Sequence, residues 1–282
     1  MKRIGLVVHP RRELDRALAS VHAWAAAAGV AVVQVRMPGI DRVVADEGDA
    51  ATCDVIVAMG GDGTTLAALH AGARVGKPVL GIACGSLGAL TATSADHVDE
   101  ALAAFAAGHW ERRHLPAITV TAEGAGTFTA INDVVVLRNG ASQITVSIDV
   151  DGDRVVGFAG DGIVIATPLG SSAYTLAAGG PVLAPRADAI ALTPLAPHGG
   201  TAPPLVVARG SETVLTVEPG YYGARVEIDG HVADLPAKTL TLGWRRDYAL
   251  LVSFEGAEPF FAGLRRRGIL ADSPRVRARA AR

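Results

Sequence analysis

Cysteine is nearly absent from this 282-residue sequence: Cys53 and Cys84 are the only two. Their spacing fits no metal or redox motif, which excludes a disulfide scaffold and points to a reducing compartment. The cytoplasm is the expected location. No apolar run reaches the length of about 18 residues that a membrane-spanning helix needs, and the opening "MKRIGLVVHPRRELD" is broken at His9, Pro10 and Arg11, so it reads as a buried strand rather than a signal peptide. No charge of one sign dominates: 26 Lys and Arg stand against 28 Asp and Glu. That balance gives no overall field for nucleic acid or an anionic membrane, and neither is an expected partner. Internal repeats of solenoid period are also missing.

Hydrophobic residues make up 50% of the chain, enough for one large core or two ordinary ones. The first part alternates short β-branched runs with Ala-rich stretches: strands at "RIGLVVH", "VAVVQVR", "CDVIVAMGG" and "PVLGIA", helices at "RELDRALASVHAWAAAAG" and "TTLAALHAGARVG". Strict alternation predicts an N-terminal three-layer α/β domain with a parallel sheet, whose ligands collect at the carboxyl ends of the strands. From about Ala117 the texture changes to Val/Ile/Thr runs such as "GTFTAINDVVVLR" and "SQITVSIDVDGDRVVGFAGDGIVIAT", the pattern of an antiparallel β-sandwich. The expected domains are 1–115 and 116–250, with 251–270 returning to the first and 271–282, basic and poor in core residues, a disordered tail.

One stretch of the first domain carries chemistry. In "VAMGGDGTTLAAL", residues 57–69, a glycine-rich turn joins a strand to a helix and offers backbone N–H groups and a positive helix end to phosphate oxygens. A tight turn without a ligand explains the glycines equally well. Asp62 breaks the tie, because an anion beside a phosphate cradle repels its ligand unless it takes a proton or holds a metal. The pattern is neither a Walker loop nor a dinucleotide fingerprint. A second segment, "GDGIVIATPLGSSAYTLAAGGPVLAP", residues 160–185, has a turn at Pro168 and Gly170, hydroxyls able to cap a helix at Ser171 and Ser172, and the ring of Tyr174. Alone, it reads as a capped helix entering a β domain.

Together these motifs closely resemble the NAD kinase family. The matching residues are Gly60 to Thr64, the turn "GIACGSLGAL", the pair Asn132-Asp133 in "INDVVV", the segment from Asp161 to Tyr174, Gly179 to Pro181, and "TPLAPH". The resemblance spans about residues 1–270 and implies phosphoryl transfer from ATP or polyphosphate to the adenosine 2′-hydroxyl of NAD. It makes Asp62 the general base, and sets Gly60, Gly61, Gly63 and Thr64 against the donor phosphates. Asp62, Gly63, Asn132, Asp133, Asp161, Ser172, Ala173, Tyr174, Thr175 and His231 are the implied NAD-binding residues. Magnesium is implied on phosphate oxygens, with no protein ligands of its own, and the chain is expected to form a homodimer or homotetramer.

The sequence departs from the family pattern where Ala83 and Ala89 replace an Asn and a Phe, where Asp133 replaces Glu, and after His198, which Gly199 and Gly200 follow. Two alternatives accompany the reading: a kinase of the same fold acting on a lipid or another nucleoside-containing metabolite, and a dinucleotide-binding protein without turnover. The other histidines have no mutual metal spacing, and "RRELDR" and "LRRRG" read as solvated faces.

Overall fold

A computed structural model describes residues 1–280. The chain divides into two compact units, Met1–Arg113 together with the chain from Leu250 onward, and His114–Ala249.

The first unit is built on β1 (Arg3–Val8), α1 (Asp15–Ala28), β2 (Ala31–Gln34), β3 (Val55–Gly60), α2 (Asp62–Val75), β4 (Val79–Ala83), a two-residue β5 (Thr93–Ser94) and α3 (Val98–Ala106). The strands pair in parallel in the order β2-β1-β3-β4. Alternation along them sorts the faces. Ile4, Leu6, Val8, Val55, Val57, Met59, Leu80 and Ile82 form one core with Ala17 and Val21 of α1 and Leu102 and Phe105 of α3. Ile56 and Val79 meet α2 at Gly72, which puts α2 on the opposite face and completes three layers. Helix α3 is an addition to the sequence expectation; Val98, Ala101, Leu102 and Phe105 bury one stripe of it at helical spacing.

The second unit holds β6 (Glu111–Ala122) from residue 114, β7 (Gly126–Ala130), β8 (Asp133–Arg138), β9 (Ile144–Val150), β10 (Asp153–Gly160), β11 (Gly162–Ala166) and the short α4 (Tyr174–Ala177). It continues through β12 (Ala189–Leu195), β13 (Leu205–Ala208), β14 (Thr213–Glu218), β15 (Ala224–Ile228), β16 (His231–Ala233) and β17 (Thr239–Ser253) as far as Ala249. One antiparallel sheet runs β13-β12-β11-β8-β15-β16; a second contains β10-β9-β14-β17 with β6 beside β17 and β7 beside β6. Inward residues of both share one core, including Val134, Val136, Ile163 and Ile165 from the first sheet and Ile144, Val146, Ile148, Leu215 and Leu240 from the second.

Past Ala249 the chain rejoins the first unit. Leu251 of β17 pairs with Val79 in parallel, and α5 (Phe260–Arg266) and α6 (Pro274–Ala280) follow. Helix α6 lies within the segment expected as a disordered tail; Pro274 is suited to a first helical turn, and the carbonyl of Ser273 accepts from the N–H groups of Val276 and Arg277. The remainder of that tail, 281–282, lies outside the described residues. No helix among them is long and apolar enough to cross a membrane.

Two further segments differ from the sequence expectation. The run "GTFTAINDVVVLR" breaks into β7 and β8 at Ile131-Asn132, and "SSAYTLAAGG" is helical only as a 3-10 turn, Gly170–Ser172, and α4. Ser171 and Ser172 do not cap that helix, because their hydroxyls donate instead to the carbonyls of Pro168 and Leu169, at 2.7 and 3.1 Å.

Candidate active site

In the first unit, the carboxyl ends of three strands gather the polar groups. The N–H of His9, just past β1, donates to the carbonyl of Met59 at 2.9 Å, and the N–H of Cys84, just past β4, donates to that of Gly60 at 2.8 Å. Gly61 then caps α2, and Asp62 is its first residue. The Asp62 carboxylate accepts two backbone N–H groups, Ala89 to Oδ2 at 3.0 Å and Leu90 to Oδ1 at 2.9 Å. Gly88 is what allows the turn so close, since a Cβ there would fall 2.1 Å from Oδ1 of Asp62. Each carboxylate oxygen has two lone pairs, so one on each remains for another donor.

Two cations attend this carboxylate. Arg267 lies 3.9 Å from it. Arg113 donates to the carbonyl of Ala89 at 3.3 Å; burial lowers its pKa from the usual guanidinium value and the charge of Asp62 opposes that shift. Gly63 faces open space, whereas Thr64 is buried with its hydroxyl against Gly60.

In the second unit, a different carboxylate organises the loop that carries Asn132 and Asp133. Asp229 accepts the N–H groups of Ile131, Asn132 and Asp133 at 2.9, 2.7 and 3.1 Å, and its own N–H donates to the carbonyl of Asp133 at 3.0 Å. These bonds end β7 and begin β8. Asp229 takes a left-handed conformation, φ 49°, in the turn between β15 and β16, a conformation Asp tolerates better than most residues. Asp133 is buried, and its pKa is raised to about 7, first by that burial and then by the charges of Asp229 and Glu227.

The neighbouring strand supplies the rest. Thr167, after β11, donates its hydroxyl to the carbonyl of Ile131 at 2.7 Å and its N–H to that of Asn132 at 2.9 Å. This draws the 167–172 turn against the Asn132 loop so tightly that a Cβ at Gly170 would fall 2.1 Å from the carbonyl oxygen of Asn132. Ser172 is half-buried, Ala173 and Tyr174 are exposed, and Thr175 is fully buried with its hydroxyl unpartnered. Asp161 is held by Arg138, Nε to Oδ1 at 2.6 Å. His231 is exposed on β16, its Nδ1 3.1 Å from the carbonyl of Asp229.

Two family models match in succession, the ATP-NAD kinase N-terminal domain over residues 31–110 and the ATP-NAD kinase C-terminal domain over 131–238. The NAD kinase of Pseudomonas putida (strain W619) is 40% identical over 199 residues, 67% of each chain. That of Bacteroides fragilis (strain YCH46) is 32% identical over 227 residues, 79% of this chain and 78% of the relative. The chain belongs to the NAD kinase family. Among solved structures, an NAD kinase from Archaeoglobus fulgidus in complex with ATP has a TM-score of 0.75 at 26% identity, covering 93% of this chain and 98% of that one. Yeast NADH kinase complexed with NADH has a TM-score of 0.78 over 97% of this chain and 89% of that one; at 19% identity it shares the fold.

The NAD kinase relationship fixes the class of chemistry, phosphoryl transfer to an alcohol group. Within it, the first unit brings Asp62 together with the glycine turns, and the second brings Asn132 and Asp133 to the Asp229 carboxylate. Arg12, Arg113, Asp229 and Arg267 join these groups only through the fold. Asp229 stands in the turn that contains His231, and an Asp-Gly turn between β-branched runs is a readable hairpin signal. Arg12 and Arg267 lie in the stretches assigned to solvated faces, yet Arg12 Nη1 donates to the carbonyl of Cys84 at 3.3 Å and Arg267 faces Asp62.

Proposed function

We propose that this chain is an NAD kinase that transfers a phosphoryl group from ATP or polyphosphate to the adenosine 2′-hydroxyl of NAD, giving NADP. The observation that carries the proposal is a carboxylate, Asp62, at the head of a helix and at the carboxyl edge of a parallel sheet, fixed by two backbone N–H groups of a facing glycine-rich turn. In this reading Asp62 accepts the proton of the 2′-hydroxyl as the oxygen bonds to the terminal phosphorus, and the bond from that phosphorus to the bridging oxygen of the donor breaks.

The remaining assignments follow the same reading. Gly60, Gly61, Gly63 and Thr64 belong to the donor phosphates, Gly63 through its open backbone and Thr64 by packing Gly60. Asn132, Asp133, Asp161, Ser172, Ala173, Tyr174, Thr175 and His231 belong to the dinucleotide. Their exposures differ: Ala173, Tyr174 and His231 are open to a ligand, while Thr175 is fully buried.

Among the described residues no group of three or more His, Cys, Asp or Glu is placed to hold a metal ion. In this reading magnesium arrives on the phosphate oxygens of the donor, keeps part of its water shell and needs few protein ligands. When bound, magnesium would neutralise charge between the donor phosphates. A cytoplasmic location, for which the scarcity of cysteine speaks, and a homodimer or homotetramer, which the family resemblance implies, complete the proposal.

The deciding experiment is turnover. Purified protein with NAD, magnesium and either ATP or polyphosphate should form NADP, and Asp62→Asn should reduce the rate by about a hundredfold or more. Folded protein that forms no NADP with either donor would overturn the acceptor assignment.

A further inference from the structure

Arg12 is a cation at the glycine-rich loop that the reading above leaves without a task. His9 turns the chain just after β1: its ring Nδ1 accepts the N–H groups of both Arg11 and Arg12, each at 3.1 Å. Accepting them requires Nδ1 without a proton, and burial together with the charges of Arg12, Arg42 and Arg11 keeps the imidazole pKa below its ordinary value. The carbonyl of Arg12 is braced in turn by Arg42 Nη1 at 2.6 Å. The turn lays the Arg12 side chain over two glycines. A Cβ at Gly61 would fall 3.3 Å from Nη1, and one at Gly85 3.0 Å from it.

The charges around this loop are unevenly matched. Arg267 and Arg113 both act on Asp62. Arg42 has Asp15 at 3.7 Å. Arg12 has no carboxylate within ion-pair distance among the described residues; its guanidinium makes one bond, to the carbonyl of Cys84 at 3.3 Å. A donor with several phosphate charges must come close to the Asp62 carboxylate for transfer to occur, and backbone N–H groups supply only partial charge against that repulsion. A full positive charge on the same loop offsets it, and a guanidinium presents two parallel N–H donors to a phosphate.

We propose that Arg12 binds the phosphate chain of the donor, holding it over Gly61 and Gly85 beside Asp62. The ligand class is a linear phosphoanhydride, as in a nucleoside triphosphate or inorganic polyphosphate, and the assignment rests on the kinase reading above.

The test uses the full chain and varies donor and NAD separately. Arg12→Ala should raise the donor KM at least tenfold and leave the NAD KM within twofold. Arg12→Lys, which keeps the charge, should recover part of the loss. Arg12→Gln, which keeps a donor for the Cys84 carbonyl but not the charge, should resemble Arg12→Ala; a Gln variant with wild-type donor KM would reduce Arg12 to a structural brace and overturn the proposal. So would a donor KM that stays within twofold in Arg12→Ala, or equal rises in both KM values. Titration calorimetry with inorganic tripolyphosphate separates this from the acceptor question. Binding weakened at least tenfold in Arg12→Ala and Arg12→Gln supports the site even if the wild type forms no NADP, and equal binding by all three proteins overturns it.

Discussion

Two single residues in the site have consequences that can be measured separately. Asp133 sits buried beside Asp229 and Glu227 with its pKa raised to about 7, from an ordinary value of 3.8. The folded chain therefore holds this proton more tightly than the unfolded chain, and stability from the protonated form is complete below about pH 4 and lost as pH rises through 7. Wild-type protein should melt at a lower temperature at pH 8 than at pH 5. Asp133→Asn removes the titrating group, so its melting temperature should fall less over the same interval; parallel curves for the two proteins would show that Asp133 does not titrate in that window. Gly88 makes the opposite kind of prediction, with an effect on rate rather than stability. An alanine Cβ 2.1 Å from Oδ1 of Asp62 must displace either the carboxylate or the turn that holds it. A shift of about 1 Å at a reacting group costs about a hundredfold in rate, so Gly88→Ala should lose NADP formation by that order while its far-UV circular dichroism stays unchanged. Unimpaired turnover would show that Asp62 does not need this geometry.

At the level of elements, the break between β7 and β8 depends on Asp229, which lies 98 residues from Ile131 in sequence. Asp229→Ala strips the acceptor from three N–H groups and should destabilise the protein by about 1–3 kcal/mol in urea unfolding. It should also raise the NAD KM more than the donor KM, because the loop that moves carries Asn132 and Asp133; equal changes in both would mean the loop has no special part in NAD binding. The same distance explains what the sequence could show. Periodicity places α1, α2 and the parallel strands because their signal is local, and α3 carries the same signal at Val98, Ala101, Leu102 and Phe105. The Asp62 loop is legible because its glycines and carboxylate are adjacent. Asp229, Arg113 and Arg267 are not, since each acts on a partner brought near only by folding. "GTFTAINDVVVLR" has strand composition throughout, and nothing within it announces that a remote carboxylate interrupts it.

For the whole molecule, the order of the chain predicts how the two units tolerate cutting. All the buried members of the sandwich core lie between Ile118 and Leu242, inside the continuous stretch His114–Ala249. The first unit is discontinuous. Its last pieces arrive from β17 and α5: Leu251 beside Val79, Val252 in the core with α1 and α3, and Leu264 fully buried. Burying each of these side chains is worth roughly 1.5–3 kcal/mol, so losing all three removes a large part of the roughly 5–15 kcal/mol that usually separates folded from unfolded states. The same segment carries Arg266, which donates to the carbonyl of Leu87 at 3.1 Å, and Arg267 near Asp62. A chain ending at Ala249 should therefore make no NADP and lose the melting transition of its first unit. The fragment His114–Ala249 should keep a β-type circular dichroism spectrum and a cooperative melt. Activity in the shortened chain would show that the Asp62 loop holds its geometry without the returning segment, and a fragment without a cooperative melt would show that the sandwich core needs the rest of the chain to fold.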